Sequence, residues 1–167
     1  GFEAGVLSKE ETYFCNGYTV VGGRRIRCHN TKGHGSQTME ETLWNSCNPA
    51  FVLWGSRVQT EGFLSFMDKV GLMDKTGIDL PGEASTIMHS KENIHELELA
   101  TISFGQSFQI TPLQLLRAVS CIVNGGTLVT PHFGNYYMND QGEIIKLEYN
   151  TQKNVVSLST CNIMKNM

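Results

Sequence analysis

The stretch Thr42-Leu43-Trp44-Asn45-Ser46-Cys47-Asn48-Pro49-Ala50-Phe51 decides how this chain is read. Just before it, Thr38-Met39-Glu40-Glu41 has the form of a capping box: the Thr hydroxyl accepts from an orphan N–H, and Glu41 reaches back. A short helix is therefore expected from Met39 to Asn45. Downstream, Pro49 suits the first turn of a second helix, where its missing N–H would lack a partner anyway. Phe51, Val52, Trp54 and Val58 give that helix an apolar side. Ser46-Cys47-Asn48 then becomes a tight interhelical loop that presents a hydroxyl and a carboxamide two residues apart.

Working upstream, residues 1–14 read as the tail of an element, with Phe2, Val6 and Leu7 as its apolar residues. Tyr18–Val21 and Arg24–Arg27 are β-prone runs around Gly22-Gly23, a pair that supplies the positive φ angles of a tight hairpin turn. Cys15 and Cys28 flank this hairpin and are candidates for a disulfide, which would suit an oxidising compartment. Cys15, Cys28, His29 and His34 also raise a zinc site. Their spacing lacks the close C-x-x-C pair of common structural sites, so no metal and no cofactor is assigned. The preferred reading is a surface hairpin followed by a glycine-rich loop, Gly33-His34-Gly35.

Downstream, Thr60 is placed to cap a third helix with Phe63, Leu64, Phe66, Met67 and Val70 as its core stripe and Gly71 as its stop. Residues 72–90 read as loop, and Leu97, Leu99, Ala100 and Ile102 form a short apolar run. The clearest helix follows. Thr111 is its N-cap, Pro112 its first residue and Gln114 the capping partner; Leu113, Leu116, Ala118, Val119, Ile122 and Val123 recur on a helical period. Cys121 reads as a small core residue. Short strands are expected at 127–130, 133–138 and 144–145, and a last helix from Ser159 or Thr160.

Composition narrows the function classes. In 167 residues, 40% are apolar and only 17% charged, which fits a domain with a core, or a large part of a bigger one, and not a disordered chain. A net charge of −3 without a long basic run argues against nucleic acid as a partner. No apolar run approaches the roughly 20 residues needed to span a bilayer. Any membrane anchor is expected outside this chain.

Six short boxes occur in order: Glu3-Ala4-Gly5-Val6-Leu7, Gly33-His34-Gly35-Ser36-Gln37-Thr38, Asn45 to Phe51, Thr76-Gly77-Ile78-Asp79-Leu80-Pro81-Gly82-Glu83, Ser103-Phe104-Gly105-Gln106 and Thr111-Pro112-Leu113-Gln114-Leu115. Together they resemble the transpeptidase domain of class B penicillin-binding proteins, in particular the sporulation and cell-division types of Gram-positive bacteria. The resemblance implies a D,D-transpeptidase that cross-links peptidoglycan stem peptides at the extracytoplasmic face of the cell membrane and binds β-lactams. It also implies an acyl-enzyme formed through a serine in an S-x-x-K box. The implied fold is mainly α with short β-hairpins, as part of a serine β-lactamase-like α+β domain. Carried over, the S-x-N roles fall on Ser46, which relays a proton toward the leaving group, and on Asn48, which holds the box lysine and the substrate backbone. Cys47 is then the variable middle position, with an incidental thiol.

The chain also departs from that pattern. No serine is followed by a lysine three positions later, so the acylated serine is not among these residues. Lys75-Thr76-Gly77 looks like the third catalytic box, but the proline of the following Ile78-Asp79-Leu80-Pro81 argues against strand pairing, and it reads as a decoy. Residues 1–167 are therefore expected to be the central part of the domain, between an upstream S-x-x-K segment and a downstream Lys-Thr-Gly strand, and to be inactive alone. Apolar faces left open by such a division should favour self-association. The rival reading is a non-catalytic homologue that serves as a binding or scaffold module. Gly105-Gln106-Ser107-Phe108-Gln109 falls short of a nucleophile elbow, His95-Glu96 lacks a second zinc-protease histidine, and His132 reads as structural.

Overall fold

Cap and turn chemistry sets most of the element boundaries. The computed structural model describes residues 1–167, which fall into two compact units. The first comprises Gly1–Phe66, Ile87–Gln109 and Asn166–Met167; the second comprises Met67–Thr86 and Ile110–Lys165.

In the first unit, β2 (Tyr18–Val21) and β3 (Arg24–Arg27) form the expected hairpin, with Val21 paired to Arg24. Gly22 and Gly23 turn it at φ 52° and 74°, the two positive angles that a two-residue turn demands. A second pairing was not legible in the sequence. β1 (Thr12–Cys15) runs antiparallel to β4 (Gly35–Thr38), with Cys15 opposite Gly35. Residues 1–14 thus contain a strand of their own, and the loop read at Gly33–Gly35 leads into its partner. Gly33 permits the approach. At φ +86°, a Cβ on it would lie 2.2 Å from the Cys15 carbonyl oxygen and 2.9 Å from Asn16 Cα.

Helix α1 (Met39–Trp44) begins with the expected box: Thr38 Oγ1 accepts from Glu41 N at 3.2 Å, and Thr38 N donates to Glu41 Oε2 at 2.8 Å. Helix α2 (Asn48–Lys69) is broken at Gln59, whose φ/ψ of 62°/165° lies in a region close to glycine-only. The segment from Thr60 is thus a separate helix, with the non-helical residue at Gln59, one position before the expected cap. The buried core of this unit is Cys15, Cys28, Met39, Cys47, Ala50 and Trp54, with Tyr13 and Phe51 packed against it. The Phe51 and Trp54 rings meet edge-on at 5.6 Å. Helix α3 (Glu96–Ser103) takes up the apolar run and buries Ala100 and Ile102.

In the second unit, α4 (Pro112–Val123) carries the expected cap, with Thr111 Oγ1 accepting from Gln114 N at 3.1 Å. Gln114 is fully buried and also donates through Nε2 to Asp74 O at 2.7 Å and Thr86 Oγ1 at 2.8 Å. The Thr-Pro-x-Gln box is therefore a tie between a helix start and a loop. The apolar stripe read on this helix needs correction. Its buried line is Gln114, Ala118 and Cys121, whereas Leu115, Leu116, Val119 and Val123 face solvent. The polar Gln114 sits on the inward face because its amide has partners there.

Four short strands follow: β5 (Leu128–Val129), β6 (Tyr136–Met138), β7 (Ile144–Lys146) and β8 (Thr151–Gln152). β5 pairs with β8 and β6 with β7. Helix α5 (Leu158–Lys165) closes the unit and packs against α4, with Ser157 Oγ accepting from Thr160 N at 3.2 Å. No helix is long and apolar enough to cross a membrane.

Lys75-Thr76-Gly77 lies outside every strand. Glu83 closes this loop: Oε1 accepts from Thr76 N at 2.7 Å and from Thr76 Oγ1 at 2.6 Å, and Oε2 from Gly77 N at 3.2 Å. Partial burial opposes the charged carboxylate, but the Thr76 and Gly77 donors outweigh it and hold its pKa below the ordinary 4.5. Because the folded pKa is the lower one, this contribution is complete above the ordinary value and is lost as pH falls through the folded value. Wild-type stability, followed by urea unfolding, should therefore fall more steeply below about pH 5 than that of Glu83→Gln.

Candidate functional site

Four helices end in the same way, and one of them does so with the wrong residue. After α2, Gly71 N donates to Asp68 O and Leu72 N to Met67 O, both at 2.9 Å, with Gly71 at φ +76°. Gly105 after α3 and Gly125 after α4 repeat this arrangement at φ +86° and +88°. It is the Schellman closure, which needs a left-handed residue just past the helix, and glycine fills that place without a steric penalty. After α1 the same two bonds form, from Ser46 N to Leu43 O and from Cys47 N to Thr42 O, both at 3.0 Å. The left-handed residue is Ser46, at φ +45°. A side chain in this conformation costs about 1–2 kcal/mol.

The next residue starts the second helix. The Cys47 carbonyl accepts from Ala50 N at 3.0 Å and Phe51 N at 3.2 Å, which makes Cys47 the N-cap of α2 as well as the second residue past α1. Asn48 opens that helix, and its Nδ2 donates to the Arg27 carbonyl at 3.1 Å. That bond fixes the amide orientation and leaves Oδ1 available as an acceptor. Ser46 is exposed and Asn48 half-buried. The structure thus brings together the two residues singled out from the sequence, on a backbone pinned from both sides.

The middle residue is the correction. The Cys47 side chain is fully buried, and its thiol joins Cys15, Cys28 and His34 in a group whose ligand-type atoms all lie within 4.8 Å of one another. Cys28 Sγ is 3.6 Å from His34 Nδ1. Cys15 and Cys28 are not joined by a disulfide, so the pairing considered for them is not made. Spacing in the sequence groups His29 with His34. His29 is exposed and lies beside the group, with its Nδ1 3.9 Å from Cys28 Sγ. The fourth member comes instead from the helix junction, far along the chain, which spacing alone does not reveal.

Donors surround these sulfurs. Gly17 N donates to Cys15 Sγ at 3.4 Å. The Gln37 amide favours the charged form of Cys47, and its Nε2 is buried with no conventional acceptor. Burial pushes the Cys47 thiol up to about 12, and charge on Cys15 adds to this. Burial acts the same way at Cys15, but backbone N–H groups of His34 and Gly17 outweigh it, so its pKa falls below the usual thiol range.

The other near-motifs hold no chemistry of this kind. Ser107 follows a helix, not a strand, so it is no nucleophile elbow. His132 stacks on Tyr149 with ring centroids 3.8 Å apart. Asp79, from the fourth box, accepts from Phe133 N at 2.8 Å, Gly134 N at 2.7 Å and the Tyr149 hydroxyl at 3.0 Å, a loop closure like that of Glu83.

The penicillin binding protein transpeptidase domain family matches the chain over residues 1–167. The chain belongs to this family. Stage V sporulation protein D of Bacillus subtilis is 41% identical over 82% of the chain and 21% of its own length. Penicillin-binding protein 2B of Streptococcus pneumoniae is 31% identical over 95% of the chain and 27% of its own length. Among solved structures, a peptidoglycan synthetase from Bifidobacterium adolescentis superposes with a TM-score of 0.91 at 22% identity, covering 99% of this chain and 30% of that one, and so shares its fold. The chain spans about a fifth to a quarter of these curated relatives.

The backbone geometry at Ser46 generates a prediction. Ser46→Gly should unfold at a urea midpoint no lower than wild type, and about 1 kcal/mol above Ser46→Ala, because only glycine relieves the left-handed conformation. Equal destabilisation by both variants would contradict the geometry.

Proposed function

We propose that residues 1–167 carry the S-x-N part of a serine-type D,D-transpeptidase site, as the central section of a transpeptidase domain. The whole protein cross-links peptidoglycan stem peptides through an acyl-serine at the extracytoplasmic face of the membrane, and β-lactams acylate the same serine. The observation that carries this reading is Ser46, an exposed hydroxyl kept in the left-handed conformation that the other three helix ends give to glycine. A side chain retained at such cost is expected where its hydroxyl is used. Membership of the transpeptidase family supplies the chemistry.

Within this reading, Ser46 relays a proton between the acylated serine's base and the leaving amine. The free Oδ1 of Asn48 accepts from the lysine ammonium of the S-x-x-K box, and the second Nδ2 hydrogen holds a substrate carbonyl. Each is a positioned donor or acceptor whose effect depends on hydrogen-bond reach to the reacting atoms. Sporulation is the favoured setting, on the strength of the 41% identity to a stage V sporulation protein. The exposed apolar face of α4 supports self-association of the isolated chain.

Labelling with a fluorescent penicillin tests the proposal. The full-length protein should label stoichiometrically, with Ser46→Gly and Asn48→Ala acylated on the order of 100-fold more slowly. Residues 1–167 alone should take no label. Unchanged acylation of both variants would remove the assigned roles, and a full-length protein that never labels would favour the scaffold reading.

A further inference from the structure

We infer that Cys15, Cys28, His34 and Cys47 form a four-coordinate zinc site that fastens the S-x-N loop to the two β-pairs of the first unit. This rests on the cluster itself and is independent of the roles proposed for Ser46 and Asn48.

The donor set favours zinc. Three thiolates and an imidazole are soft to borderline ligands, and four such groups arranged tetrahedrally with no open position make a structural zinc centre. With Zn–S near 2.3 Å and Zn–N near 2.0–2.1 Å, tetrahedral geometry puts sulfur and nitrogen about 3.6 Å apart and two sulfurs about 3.8 Å apart. Cys28 Sγ and His34 Nδ1 lie at 3.6 Å, and all four ligand atoms lie within 4.8 Å of one another. On binding, each coordinating thiol gives its proton to solvent, and His34 binds as neutral imidazole through Nδ1.

A plain cluster of core cysteines does not account for the surroundings. Buried cysteine as a small hydrophobe needs neither an imidazole nor amide donors beside it. Here the Gly17 N–H is aimed at Cys15 Sγ. The Gln37 amide lies against Cys47 with Nε2 buried and lacking any conventional acceptor. Metal-bound thiolates take such outer-shell N–H donors, which supplies the acceptor that Gln37 lacks. A disulfide fits less well, because it would join two of three equivalent sulfurs and leave the third beside the histidine.

The ligands come from four places in the chain. Cys15 ends β1, Cys28 directly follows β3, His34 directly precedes β4, and Cys47 joins α1 to α2. Cys47 is also the residue between Ser46 and Asn48, so the metal would hold the loop from inside. Gly33 belongs to this device, since any side chain there would strike the Cys15 carbonyl and displace His34.

Elemental analysis of the full-length protein, purified without chelator, should find about one zinc per chain. Zinc K-edge absorption on the same unmodified sample should fit three sulfurs and one nitrogen, a readout that needs no variant to fold. Cys47→Ser and His34→Ala should lose the metal, whereas His29→Ala and Cys121→Ser should retain it. Co²⁺ added to the zinc-stripped protein should give thiolate charge-transfer bands. The inference is overturned by a metal-free protein with free thiols, by a disulfide among Cys15, Cys28 and Cys47, by a first shell without sulfur, or by full zinc content in Cys47→Ser.

Discussion

One residue, Cys47, ends one helix, starts the next and buries its side chain in the core. Its N–H completes the closure of α1 and its carbonyl caps α2. Its sulfur lies among Cys15, Cys28 and His34. With backbone and side chain both fixed, the residues on either side have little freedom. Ser46 is held left-handed and exposed, and Asn48 is turned so that its amide reaches the Arg27 carbonyl. Under the roles proposed for Ser46 and Asn48, the precision that a proton relay requires would come from this neighbour. Placing an L-residue where glycine fits better costs stability.

Local chemistry was legible in the sequence. The Gly22-Gly23 hairpin, the capping boxes at Thr38 and Thr111, and the break before Thr60 each rest on a few adjacent residues, and each forms as expected. What escaped was non-local. The β1–β4 pair joins Tyr-Phe-Cys to Gly-Ser-Gln-Thr, a segment without β-branched or aromatic signature apart from its last residue, so propensity gave no warning. Spacing along the chain offers His29 beside Cys28 and His34, whereas the fold puts the distant Cys47 there. The inward face of α4 is non-local in the same way. Apolar periodicity pointed to Leu116, Val119 and Val123, but the buried Gln114 has partners in a loop 28 to 40 residues away.

The ordered boxes that mark the family divide into two kinds. Thr76 to Glu83 and Thr111 to Leu115 are architectural: a carboxylate or amide closes a loop onto its backbone, as Glu83, Asp79 and Gln114 do. The box from Asn45 to Phe51 differs, because its exposed groups bond to little within the chain while its backbone is fully committed. A motif whose side chains are occupied internally stabilises the fold. Ser46 differs in this from Thr76 of the Lys75-Thr76-Gly77 sequence, whose hydroxyl is already given to Glu83.

The most direct test is a crystal structure of the full-length protein acylated by a penicillin. Ser46 should keep its positive φ, with Ser46 Oγ and an Asn48 side-chain atom each within roughly 3 Å of the acylated serine, its lysine or the bound ligand. A right-handed Ser46, or a loop turned so that both side chains point away from the acyl group, would contradict it.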